Sequence, residues 1–279
     1  MSSFGVRRVV LLMVAALATV AVAGCGGGGA SFDPSASAAS TAKAKSAKVG
    51  FDTSIAGGGR TLHMTGSGKV DFQNQAASMI FDVGDLLRGS GLPASPGEKW
   101  AIVTQGLVVY MHAPSLARQL PGGKQWLKLD VQAIAKSQKI DLGQFRQLTQ
   151  NDPTQMLAYL RATSGKVDKV GTENVRGVET THYRAKVDLD KVAEQAPPKL
   201  RKTFRTSIQS LKRGLGTDTI PVDVWVDDND LVRRLEEHLP IATGGKIDFR
   251  VDFYDFGTPV SIMPPPTSET LDLAQVLGG

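Results

Sequence analysis

The sequence predicts an α+β fold: one large, mostly antiparallel β-sheet with helices inserted between its strands. Three observations predict it. From about residue 47 the apolar side chains recur with a period of two, run after run, separated by short turns rich in Gly, Asn and Asp. Only the middle of the chain and residues 197–214 change to a helical period. The 279 residues are 41% hydrophobic, enough for a sizeable core, but 6% aromatics against 30 Gly and 14 Pro favour sheet and turn.

Taken in order, Val49, Phe51, Thr53 and Ile55 alternate with Gly50, Asp52 and Ser54, and Gly57-Gly58-Gly59 turns the chain. Leu62, Met64, Gly66, Gly68, Val70 and Phe72 share one face of the next strand, where the glycines are expected to mark a bulge or a bend. After Gln73-Asn74 a third strand carries Ala77, Met79, Phe81 and Val83 on one face. Residues 84–97 read as a long loop, and residues 99–104 and 107–112 as a hairpin around Gln105-Gly106.

Helical signals follow. Asp130 heads one run, Asp141 a second, and Asp152-Pro153-Thr154-Gln155 a third, with proline at the first helical position and a capping glutamine. Strands resume at 166–175 and 179–188, joined by Arg176-Gly177. Another helix opens at Pro197-Pro198 and closes near Gly214, its stripe formed by Leu200, Phe204, Ile208, Leu211 and Leu215. Ile220, Val222, Val224 and Val226 form the next apolar face, followed by the turn Asp228-Asn229-Asp230 and a strand over 231–239. Ile247, Phe249, Val251 and Phe253 then alternate with Lys246, Asp248, Arg250, Asp252 and Tyr254, and Pro264-Pro265-Pro266 closes the sheet. A sheet of about ten or eleven strands usually curls, and its apolar face has to be covered by the helices or by something else.

Ahead of this body stands a different kind of segment. Arg7 and Arg8 precede an apolar run over 9–23, the layout of a secretory signal peptide. It ends Val22-Ala23-Gly24-Cys25, which resembles the lipobox of bacterial lipoproteins. The resemblance implies that the leader, 1–24, is cut before Cys25 and that Cys25 carries a lipid. A plain signal peptide and an uncleaved anchor are the other readings, and the arginine pair leaves Sec or twin-arginine export open. Residues 25–46, mostly Gly, Ala, Ser, Thr and Lys, cannot bury enough surface to offset ordering and read as a flexible tether with a reach of roughly 25 Å. The folded domain spans 47–266, and 267–279 form a C-terminal tail.

Several function classes fall away. No later stretch approaches the ~18–20 apolar residues needed to cross a bilayer. Cys25 is the single cysteine, so an internal disulfide framework and a multi-cysteine metal site are excluded. Loss of the leader removes two arginines and no acid, leaving thirty basic against 27 acidic residues, a weak footing for nucleic-acid binding. The sequence contains no nucleophile elbow, His-Glu-x-x-His pair, phosphate loop or dinucleotide fingerprint. His182 reads as a surface histidine on a polar strand face. In Glu236-Glu237-His238 only Glu236 and His238 share a face, too little for a cation site. Asp223, Asp227, Asp228 and Asp230 lack calcium-loop spacing and read as strand ends and a hairpin turn. No catalytic residue, metal or cofactor is therefore expected. The helix at 198–213 carries Lys199, Arg201, Lys202, Arg205, Lys212 and Arg213 without an acid. It is either a basic surface for anionic headgroups or a solvated face.

The order of segments, together with Gly177-Val178-Glu179-Thr180-Thr181-His182-Tyr183, Val224-Trp225-Val226-Asp227 and Tyr254-Asp255-Phe256-Gly257-Thr258-Pro259-Val260, resembles the LolA-like superfamily, in particular actinobacterial LppX/LprG-type lipoproteins. The resemblance covers roughly 45–266. It implies a strongly curved antiparallel half-barrel whose concave side is closed by helices around an apolar cavity. Such a protein binds the acyl chains of a lipid or lipoglycan and carries them across the envelope from the outer face of the cell membrane, with an envelope transport partner. Residues placed to line the cavity are Met79, Phe81, Val222, Val224, Phe249 and Val251. The competing expectation is a non-catalytic sensor or protein-interaction lipoprotein.

Overall fold

The computed structural model describes residues 43–89, 97–133, 167–194 and 201–273, together with 37, 40 and 41. Its strands are β1 (Ser46–Gly57), β2 (Arg60–Asp71), β3 (Ala76–Asp82), β4 (Lys99–Gln105), β5 (Val108–His112), β6 (Trp126–Asp130), β7 (Asp168–Val175), β8 (Val178–Asp188), β9 (Thr219–Val226), β10 (Val232–Pro240), β11 (Lys246–Tyr254) and β12 (Thr270–Asp272). Among them lie helices α1 (Gly84–Gly89), α2 (Pro114–Ala117), α3 (Leu189–Glu194) and α4 (Arg201–Leu215).

All twelve strands belong to one open sheet in the order β12-β6-β5-β4-β3-β2-β1-β11-β10-β9-β8-β7. Two meanders run outward from a central seam, where β1 pairs antiparallel with β11 from Lys48↔Tyr254 to Ala56↔Lys246. Among the described strands, only β12 on β6 is parallel. The β1–β2 and β7–β8 hairpins use two-residue turns, and both residues of each have positive φ: Gly58 and Gly59 in one, Arg176 and Gly177 in the other. Turns of that hand match the right-handed twist of the strands they join.

The structure departs from the sequence reading in several places. Residues 84–89 form α1 rather than loop, with the Gly84 amide donating to Asp82 Oδ1 at 3.2 Å. Strand β6 is a five-residue segment whose last residue, Asp130, doubles as a cap: the Ala133 amide donates to its Oδ1 at 2.9 Å. Strand β12 extends the sheet beyond the prolines that were expected to close it, tied to β6 by an ion pair of 2.8 Å between Lys128 and Asp272. Gly66 and Gly68 mark no bulge, because β2 pairs with both neighbours without a register shift. The irregularities fall instead between Lys169 and Gly171 and between Val232 and Arg234.

Of the central helical runs, only residues 131–133 are described, and they are helical. The runs headed by Asp141 and Asp152 lie outside the described residues, so most of the helices expected over the concave side do too. Helix α1 packs on β2, α3 touches β8, and α4 packs on α3.

Candidate functional site

Strand alternation sorts the sheet into two unlike faces. On one, β1 presents Val49, Phe51, Thr53 and Ile55, opposite Phe253, Val251, Phe249 and Ile247 of β11. Beyond β11 come Leu235, Glu237 and Leu239 of β10, then Val224 and Val222 of β9. On the other side of β1, Gly68 and Gly66 of β2 leave room for Met79 and Phe81 of β3, which face Ile102 and Trp100 of β4. Two buried clusters result. One gathers Val49, Val222, Val224, Val226, Val232, Leu235, Val251 and Phe253; the other gathers Met79, Phe81, Val83, Leu87, Trp100 and Ile102. Phe51 packs against both.

The six residues chosen from sequence all lie on this face, but not equally. Met79, Phe81, Val222, Val224 and Val251 are buried within the clusters. Phe249 is only half-buried. It belongs to a band toward the Gly57–Arg60 and Pro240–Lys246 turns where Ile55, Leu62, Met64, Ile220, Leu239 and Ile247 are half-buried too. The more accessible part of the apolar face therefore lies at this end, around Phe249 and beyond the five buried positions.

Glu237 breaks the apolar pattern of that band. Its direct neighbours are Phe249 on β11 and Val222 on β9, with Leu235 and Leu239 on its own strand. Burial among them pushes its carboxyl up to about 7, because the charged form loses hydration and gains no counter-charge. Beyond Phe249 in the same row stands Thr53, buried, whose hydroxyl lacks a hydrogen-bond partner among the described residues. Sequence reading passed over Glu237, although its alternation with Leu235 and Leu239 was the signal.

The opposite face of the C-terminal meander holds a buried polar network. His182, expected at the surface, is 4% exposed. Its Nε2 meets Asp223 Oδ1 at 2.5 Å and its Nδ1 meets Glu173 Oε1 at 2.9 Å. The His182 ring stacks on Trp225 with centroids 4.1 Å apart, and Trp225 Nε1 donates to Glu173 Oε2 at 3.0 Å. Those two hydrogen bonds, Trp225 first, hold the Glu173 carboxyl below the usual range. Asp223, read as a strand end, is instead buried in mid-strand and also accepts from Arg184 Nε at 2.8 Å. Burial pushes the Asp252 carboxyl up, but Arg234 and Arg176 outweigh it and hold it low. Arg234 reaches both carboxylate oxygens, at 2.6 and 3.0 Å. Asp227 does serve its turn, its Oδ1 accepting from the amides of Asn229 and Leu231. The network cross-links β7 to β11, with its acids spent on structural partners.

Helix α4 is amphipathic as expected, with Leu215 buried and Leu211 exposed. Lys212, counted on its basic face, is neutralised by Asp190 and Asp218 at 2.8 Å each. Among the described residues, no helix is long and apolar enough to cross a membrane, and no group of three His, Cys, Asp or Glu side chains gathers as a metal site. Cys25 lies outside the described residues.

With this geometry in view, the chain can be set beside known proteins. No family model matches it. It is 27% identical over 244 residues to an uncharacterised 31.2 kDa protein of Streptomyces griseus, covering 85% of this chain and 77% of that one. Among solved structures it is similar to the Mycobacterium tuberculosis lipoprotein LppX, at 14% identity and a TM-score of 0.45, covering 82% of this chain and 97% of that one. It is similar also to LprF from Mycobacterium bovis, at 14% identity and a TM-score of 0.36, covering 84% and 98%.

Proposed function

We propose that this chain is an envelope lipoprotein, anchored at the outer face of the bacterial cell membrane through Cys25, that binds acyl chains of a lipid or lipoglycan on its apolar face and carries them across the envelope without chemistry. One observation supports the reading above the others. A single apolar surface crosses the seam from β4 to β9, and at one end its side chains stay half-buried around Phe249. Apolar side chains left partly accessible together on one face suit an apolar guest. Each methylene removed from water contributes ~0.8 kcal/mol, which is how a carrier shields a chain in transit.

Filling the half-buried end tests the reading. Ile247→Trp is expected to abolish uptake of a fluorescent fatty-acid probe while leaving the circular dichroism spectrum unchanged. Organic extracts of protein purified from its native host are expected to contain lipid by mass spectrometry. Clean extracts, with no probe uptake by the wild type at micromolar concentration, favour the protein-interaction reading.

A further inference from the structure

We propose that Glu237 is a polar anchor within the apolar face, and that the lipid bound there carries a hydrogen-bonding hydroxyl or amide group close to its acyl chains. This rests on the lipid-binding reading above. Glu237 occupies one row of the sheet with Met64, Thr53, Phe249, Val222 and Ala185, each paired with the next across adjoining strands. No described residue offers the carboxyl a hydrogen bond or an ion pair. It nevertheless stays half-buried, with part of its surface accessible. On the far side of Phe249, two strands from Glu237, the buried Thr53 hydroxyl is the second unpartnered polar group in the row among the described residues. Polar groups set among apolar ones are costly unless something pairs with them, and two such groups flanking one half-buried ring point to a guest that brings its own polar atoms.

The chemistry narrows the guest. Below about pH 7 the Glu237 carboxyl is mostly protonated, and a neutral carboxyl both donates and accepts. A hydroxyl or amide answers both functions, whereas a simple ester only accepts. No charged side chain faces Glu237 from the strands beside it: β9 supplies Val222, Val224 and Ile220, and β11 supplies Phe249, Val251 and Ile247. Glu236 and His238, next in the chain, project to the opposite face with Asp223 and Asp248.

Displacement of bound anilinonaphthalene sulfonate by monopalmitoylglycerol and by methyl palmitate, at pH 6 and pH 9, tests the assignment. The wild type is expected to prefer monopalmitoylglycerol about tenfold at pH 6, the worth of roughly one hydrogen bond. Glu237→Leu is expected to lose that preference while holding methyl palmitate as well as before. Glu237→Gln, which keeps a donor and an acceptor, is expected to bind equally at both pH values, whereas the wild type weakens toward both lipids at pH 9. An unaltered preference in Glu237→Leu, or a pH response in Glu237→Gln equal to that of the wild type, overturns the anchor and leaves lipid binding standing. If neither lipid displaces the probe from the wild type, the lipid-binding reading itself falls, and the anchor with it.

Discussion

Phe51 and Phe81 approach to 5.3 Å between ring centroids although a whole strand, β2, lies between them. Two strand spacings amount to about 9.5 Å, so the rings meet only because Gly66, paired with both residues, contributes no side chain. Phe249, diagonal to Phe51 across the seam, lies 6.3 Å from it. These contacts carry the apolar face across the central seam and join its two clusters.

A side chain at Gly66 is expected to part them. A Cβ there falls 2.7 Å from Phe81 Cδ1 and 2.9 Å from the Ile80 carbonyl oxygen, and backbone cannot yield as a side chain does. Gly66→Val should destabilise the fold by about 1–3 kcal/mol in urea unfolding. Unchanged stability would show that the rings have room to separate freely.

Asp223 should prove structural. Replacing it by alanine strips His182 and Arg184 of their shared carboxylate in a buried setting, at a cost of about 3 kcal/mol. Because the partners act as a unit, His182→Ala should cost far less in the Asp223→Ala background than in the wild type. Strict additivity in that double-mutant cycle would sink the idea of a coupled network.

Stability should fall with rising pH on account of Glu237. Its carboxyl moves from 4.5 to about 7 on folding, so the folded state holds the proton more tightly than the unfolded chain. The penalty is absent below pH 4.5, grows through the interval, and is complete above about pH 7. At ~1.36 kcal/mol per unit it reaches at most about 3 kcal/mol. Relative to the wild type, Glu237→Leu should therefore gain stability between pH 5 and pH 8, as followed by thermal unfolding. A constant difference across that range would contradict the assignment.

Cys25→Ser should release the protein from the membrane fraction into the soluble fraction, with loss of palmitate labelling. Persistence in the membrane fraction would refute lipid anchoring through this residue.

The candidate site was legible in outline but not in detail. Alternation placed all six chosen residues on one face of the sheet, as the structure has them, since side-chain direction in a strand is a local property. It did not say how deep each would lie: Val222 and Val224 are sealed, while Phe249, on the neighbouring part of the same face, stays half-buried. Glu237 was passed over because a carboxylate among leucines was read through its polar neighbours, Glu236 and His238. His182 was placed at the surface because nothing near it in the chain announces Asp223, 41 residues away.

What the sequence by itself determined about this protein is the set of properties that adjacent residues decide: strand alternation, the two-residue turns, the apolar stripe of α4 and the cap at Asp130. Tertiary structure alone decided which strands became neighbours. The β1–β11 seam, the addition of β12 beside β6, and the meeting of Arg176 with Asp252 join segments 76 to more than 200 residues apart. Such pairings are selected by burying complementary faces against the entropy of closing long loops, and that balance is struck over the whole sheet at once.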